Sequence, residues 1–165
     1  MIMKKSTVIF NKTNRLLEIA LIVIFALLVF DVSFQVFSRY ILNTSFSWTE
    51  ELARFSLIWL SILGATYLTA KRAHLSMDFL YRNFSEPVKK RVSIFIEILI
   101  FFFAFFIMVI GGFNLVYTTL HLDQLSGTLR IPLGYIYAVF PFGGLLIMCF
   151  SVYNITQITT NQIAN

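Results

Sequence analysis

The chain has one cysteine in 165 residues, Cys149, so no intramolecular disulfide, thiol redox pair or all-cysteine metal site can be built from it. Cys149 lies inside an apolar run and reads as a small buried hydrophobe. Histidine is nearly as scarce: His74 and His121 fall in separate loops, predicted on opposite sides of a membrane, which disfavours a haem held by two histidines of one bundle. Charged residues make up 13%, where soluble domains average about a quarter, and none occurs from Ile131 to Asn165. Also missing are paired carboxylates, a phosphate-binding loop, a Ser/His/Asp set and a Cys/His cluster, so the sequence offers no constellation for a reaction. His74 and Asp78 stand four apart, but two ligands do not make a metal site. There is no internal repeat, low-complexity tract or second domain.

What is abundant is apolar. A chain that is 58% hydrophobic with 19 Phe and a mean hydropathy of +0.81 cannot hide those side chains in a soluble domain of this size, and it reads as a membrane protein. Four helices are expected, over about residues 16–40, 48–70, 87–120 and 133–155, forming one all-α four-helix membrane bundle with a basic loop over 71–91. The first run, Leu16 to Phe37, is too long for a signal-peptide core and ends in FSRY rather than a small-residue cleavage site, so it reads as an uncleaved helix. Ser85-Glu86-Pro87 is a start signal for the third helix. Glu97 sits at its mouth, and Gly111-Gly112 marks a kink or a close neighbour. In the fourth, Pro141-Phe142-Gly143-Gly144 should break or bend the middle. Ser61 and Ala65 beside Gly64, and Gly134 with Ala138, are small-xxx-small faces suited to close helix approach.

The net charge of +5 is distributed like membrane-flanking charge and not like a nucleic-acid footprint. Four basic residues precede the first helix, and six of the thirteen lie in the 71–91 loop. The positive-inside bias therefore places both termini and that loop in the cytoplasm, where Lys71, Arg72, His74, Lys89, Lys90 and Arg91 would face phospholipid headgroups. The opposite, outer interface then holds Arg39, Trp48, Glu50, Glu51 and Arg54. Ser47 followed by Glu50 is a capping-box pattern that starts a helix near Trp48. On that helix Glu50 (i,i+4) and Glu51 (i,i+3) can both reach Arg54, and with Arg39 they should form a near-neutral network joining the first two helices. Asp31, Gln35, Ser38 and Arg39 form a polar stripe that should turn toward protein.

The series Arg39-Tyr40, Trp48, Glu50-Glu51, Arg54, Trp59 and Gly64, followed by a basic residue and then His74 and Asp78, resembles the small membrane subunit of tripartite ATP-independent periplasmic (TRAP) transporters. Ile131-Pro132 and the Phe140 to Gly143 stretch are similar to that family too. The resemblance implies a multi-pass subunit of the bacterial inner membrane that holds no cofactor and catalyses no reaction. Its implied partners are a large membrane subunit of about twelve helices and a periplasmic substrate-binding protein. The large subunit would bind sodium ions and carry an organic acid inward by an elevator motion, braced by the small one. Two other readings stay open on the residues: a small proton-coupled exporter titrating at Asp31, and a membrane redox subunit.

Overall fold

The computed structural model describes residues 2–71 and 86–160. Four helical passes follow one another: α1 (Ile2–Ile41), α2 (Ser47–Lys71), a third pass of α3 (Glu86–Phe103), a π-helical stretch (Ala104–Gly111) and α4 (Gly112–His121), and a fourth of α5 (Leu133–Tyr137) and α6 (Val139–Thr159). Each contains a span long and apolar enough to cross a bilayer. The start of α1 and the end of α6 meet at one end of the bundle, where Phe10 contacts Phe150 and Tyr153. Arg72, His74 and Asp78 fall outside the described residues.

α1 begins well ahead of the expected residue 16, since nothing in residues 2–15 is a helix breaker and its near end is packed. Phe10 stacks on Tyr153 at 4.3 Å between centroids and meets Phe150 edge-on at 5.2 Å. At 40 residues α1 is about 60 Å long, twice the hydrocarbon thickness, so it projects past the membrane at one end. Leu17, Leu21, Ile24, Leu28, Asp31, Gln35 and Ser38 alternate in steps of four and three along its buried or half-buried side, which packs chiefly on α2. That is the 3.5-residue repeat of left-handed helix pairs. Ile22, Phe25, Phe30 and Val36 point outward, where acyl chains would cover them.

The fourth pass is the centre of the bundle, touching α2, α3 and the π-helical stretch. Its helix breaks at Ala138, near its start and not in the middle. Pro141 explains the position: its ring excludes a bond to the carbonyl four residues back, Tyr137, where α5 ends, and it then sits harmlessly in the first turn of α6. Gly143 and Gly144 lie within the continuous α6, where they let side chains of neighbouring passes seat against its backbone. A Cβ on Gly143 would lie 2.6 Å from Cγ2 of Ile62 on α2, and one on Gly144 would lie 2.7 Å from Cβ of Met108 in the π-helical stretch. The widened π turn thus coincides with a close approach of the third and fourth passes. Gly112 likewise admits a neighbour, with a Cβ there 2.8 Å from the Pro141 ring. Gly134 receives Leu120, so the Gly134/Ala138 face is used inside the chain. Cys149 corrects the sequence reading: it is exposed on the outward side of α6, because the inward side is taken by Ile147, Phe150 and Ser151.

With no hydrophobic effect between helices in lipid, these approaches carry the packing. Gly144→Ala should therefore destabilise the bundle by about 1–3 kcal/mol through overpacking. Gly111→Ala, whose Cβ would meet only the Phe106 carbonyl oxygen at 3.7 Å, should be neutral or stabilising. Thermal unfolding in detergent checks this, and equal midpoints for the two variants would refute it.

Candidate functional site

Two polar clamps sit at opposite ends of the bundle, each built on a carboxylate. At one end the α1–α2 loop and the start of α2 meet the loop between α4 and α5. α2 begins at Ser47, but the expected capping box does not form; the Thr49 hydroxyl donates to the Phe46 carbonyl at 2.7 Å instead. Thr49 is fully buried at this turn. Phe34 reaches the Phe46 and Trp48 rings from α1, with centroids 6.1 and 6.2 Å apart. The Ser38 hydroxyl donates to the Thr44 carbonyl at 2.7 Å, tying the end of α1 to the loop.

Glu51 departs from the expectation. Its carboxylate turns away from Arg54 and accepts three consecutive backbone N–H groups across the sequence, from Gly127 at 2.8 Å, Thr128 at 3.0 Å and Leu129 at 2.8 Å. Successive N–H groups converging on one anion form a nest, and a carboxylate receiving three of them is held far more firmly than one facing an exposed guanidinium. The recipient loop is preformed. Ser126 N–H donates to the Ile131 carbonyl at 2.9 Å, the Ile131 N–H donates to the Ser126 hydroxyl at 3.2 Å, and Leu125 bridges to Pro132. Asp123 and Arg130 turn the loop at φ of 46° and 52°. An aspartate tolerates that conformation better than an arginine, so the loop holds Arg130 at some local cost.

The remaining charges at this end pair weakly. Glu50 accepts one long bond from Arg54 at 3.4 Å, with both side chains 68% exposed, a geometry worth about 0.3–0.5 kcal/mol. Arg39 is exposed and forms no ion pair with either glutamate among the described residues. The four-charge network expected from spacing is therefore replaced by one exposed pair and one carboxylate–backbone clamp. The polar stripe of α1 divides in the same way: Asp31 (5% exposed) and Ser38 are buried in the packed seam, Gln35 is half-buried and Arg39 points out. One Asp31 oxygen, Oδ2, has no hydrogen-bond partner among the described residues. Trp59 packs half-buried against the core around Leu63.

At the other end Asn154 of α6 joins three passes. Its side-chain amide donates to Oε1 of Glu97 at 2.9 Å and to the Thr69 carbonyl at 3.1 Å. Thr69 lies in the last turn of α2, where carbonyls lack helical partners, so the amide satisfies an orphan acceptor while it grips the third pass. Glu97 is 5% exposed. Sequence reading placed Glu97 at a helix mouth and overlooked Asn154; an asparagine within an apolar span was the available signal. Around this end Lys89 and Lys90 are half-buried and Arg91 exposed, the Lys90 ammonium donates to the Thr159 carbonyl at 3.3 Å, and Lys71 lies over the Tyr67 ring at 5.5 Å. Among the described residues no group of three His, Cys, Asp or Glu is gathered. The arrangement positions helices and a loop.

A model of the DctQ component of tripartite ATP-independent periplasmic transporters matches residues 28–161. The chain is 28% identical over 114 residues to the sialic acid TRAP transporter permease protein SiaT of Haemophilus influenzae (strain 86-028NP), across 69% of this chain and only 18% of that protein. It is 29% identical over 134 residues, 81% of either length, to a protein of H. influenzae (strain Rd) named for a TRAP transporter small permease.

The clamp makes a residue-level distinction between adjacent glutamates. Glu51→Ala should speed hydrogen exchange at the Gly127, Thr128 and Leu129 amides by roughly tenfold, whereas Glu50→Ala should leave them unchanged. Equal protection in both variants would remove the clamp.

Proposed function

Because the chain belongs to the DctQ component family of TRAP transporters, we propose that it is the small scaffold subunit of a sodium-coupled, binding-protein-dependent importer of an organic acid in the bacterial inner membrane. A large membrane subunit carries the substrate and the sodium ions, and a soluble periplasmic protein delivers the acid. This chain enlarges the immobile part of the large subunit and contributes to docking the binding protein. Within the chain both termini and the basic residues Lys71, Arg72, His74, Lys89, Lys90 and Arg91 face the cytoplasm and anionic phospholipid, which puts the Glu51 clamp on the periplasmic side.

The observation that carries this reading is where the polar groups go. Among the described residues, Glu97 and Asn154 bond across passes, the buried Thr66 and Thr69 hydroxyls bond carbonyls of their own helix, and none of them converges on a substrate-sized cavity. The acid on which a proton-coupled exporter would depend, Asp31, is enclosed in the α1–α2 seam. The SiaT relative adds support, since there a stretch like this chain forms 18% of one longer permease polypeptide.

Two measurements test the reading. Vesicles containing the large subunit, the binding protein and a sodium gradient should take up the acid only when this chain is present; full uptake without it, or uptake by this chain alone, would overturn the bracing role. For the orientation, cysteine at Ser76 or Ser85 in a Cys149→Ser background should react with an impermeant thiol reagent from the cytoplasmic side alone. Labelling from the periplasm would invert the topology.

A further inference from the structure

α2 has two long faces, and this chain uses one. The inward face holds Thr49, Leu63, Thr66, Thr69 and Ala70. On the outward face Arg54, Leu57, Ser61, Ala65 and Leu68 are exposed, and a Cβ on Gly64 would meet nothing within 4 Å. Beside this face, between α2 and the start of α6, runs an apolar groove of about 320 Å³ lined by Arg54, Leu57, Ile58, Ser61, Ile62 and Phe140. We infer that this groove and the open Gly64 surface receive a transmembrane helix of the large membrane subunit, which presents a hydrogen-bond acceptor or carboxylate to Arg54. The inference rests on the reading of the chain as a transporter's small subunit and assigns the face through which it acts.

Three features favour a helix. Gly64 shares its helix face with a small exposed residue, Ser61, three positions back, and nothing lies within 4 Å of where its Cβ would be, so the room it leaves is unused. Helices associate in lipid where small residues let backbones approach, whereas acyl chains fill rough and smooth faces equally well. Arg54 supplies the second: about 10 Å along α2 from Ser47, it keeps one 3.4 Å bond and four further N–H donors on a face otherwise apolar, which calls for an acceptor from outside the chain. The Ser61 hydroxyl, by contrast, donates to the Leu57 carbonyl at 2.7 Å and leaves the groove floor without polar demand. Third, the SiaT relative continues far beyond its matched stretch within one permease chain, so a neighbour of permease type is available to the same fold.

A photo-crosslinking residue placed at Ser61 or Ala65 in the assembled complex should yield a covalent adduct with the large subunit. The same probe at Phe30 on α1 or Phe106 on the third pass, both exposed, should not. An adduct with phospholipid or with a second copy of this chain at 61 and 65, the absence of any protein adduct there, or large-subunit adducts at 30 or 106 instead, would overturn the assignment. Gly64→Leu gives an independent arm, because the leucine enters open space. The isolated variant should keep its unfolding midpoint while large-subunit recovery on co-purification falls at least several-fold; undiminished recovery would overturn the inference. If the unmodified chain recovers no large subunit at all, it is the scaffold reading that fails, and the two failures are separable.

Discussion

Neighbouring side chains seated directly against the backbone at three glycines are the constraint on which this bundle depends. Lipid gives helices no reason to associate for the sake of burying apolar area, so they cohere where they fit closely. Gly143 meets α2, Gly144 meets the π-helical stretch and Gly112 meets the Pro141 ring, all at distances no side chain would allow. The fourth pass can therefore lie against two others at once. α1 then packs chiefly on α2 through its 3.5-residue seam, with Phe10 meeting α6 at Phe150 and Tyr153.

The two carboxylate clamps fix what close packing leaves free. Packing along smooth apolar faces permits sliding, whereas a hydrogen bond of 2.8 or 2.9 Å to a particular donor does not. Glu97 and Asn154 set the register of the third and fourth passes against the end of α2, and Glu51 sets the α4–α5 loop against its start. α2 is consequently held at both ends and, by Gly143, in its middle. A helix so fixed is suited to offering its other face to a partner.

The division of polar groups agrees with a scaffold. Among the described residues, Glu97, Asn154 and the buried threonines bond to backbone or to one another rather than around a cavity, while the Glu50–Arg54 pair and the open surface at Gly64 are left outside. A domain that moved substrate would show the reverse, with polar groups converging on an enclosed space near the midplane.

The sequence by itself determined the membrane class, the number of passes and the identity of the charged stretch around Trp48, because hydropathy and charge scarcity are properties of composition and local order. It also marked Pro141 and the glycine pairs as special. Tertiary structure alone decided what each would do. Spacing on a helix allows Glu51 to reach Arg54, but a loop 76 residues away offers three aligned N–H groups, and no local pattern announces a contact of that separation. The same holds for Asn154, whose partners lie on two other passes, and for the small-residue faces, of which Gly134 is spent inside the chain and Gly64 is left open. Periodicity says which residues share a face; only the packing of all four passes says what that face meets, since each helix in lipid could satisfy its apolar surface in any direction and is oriented by a few specific contacts.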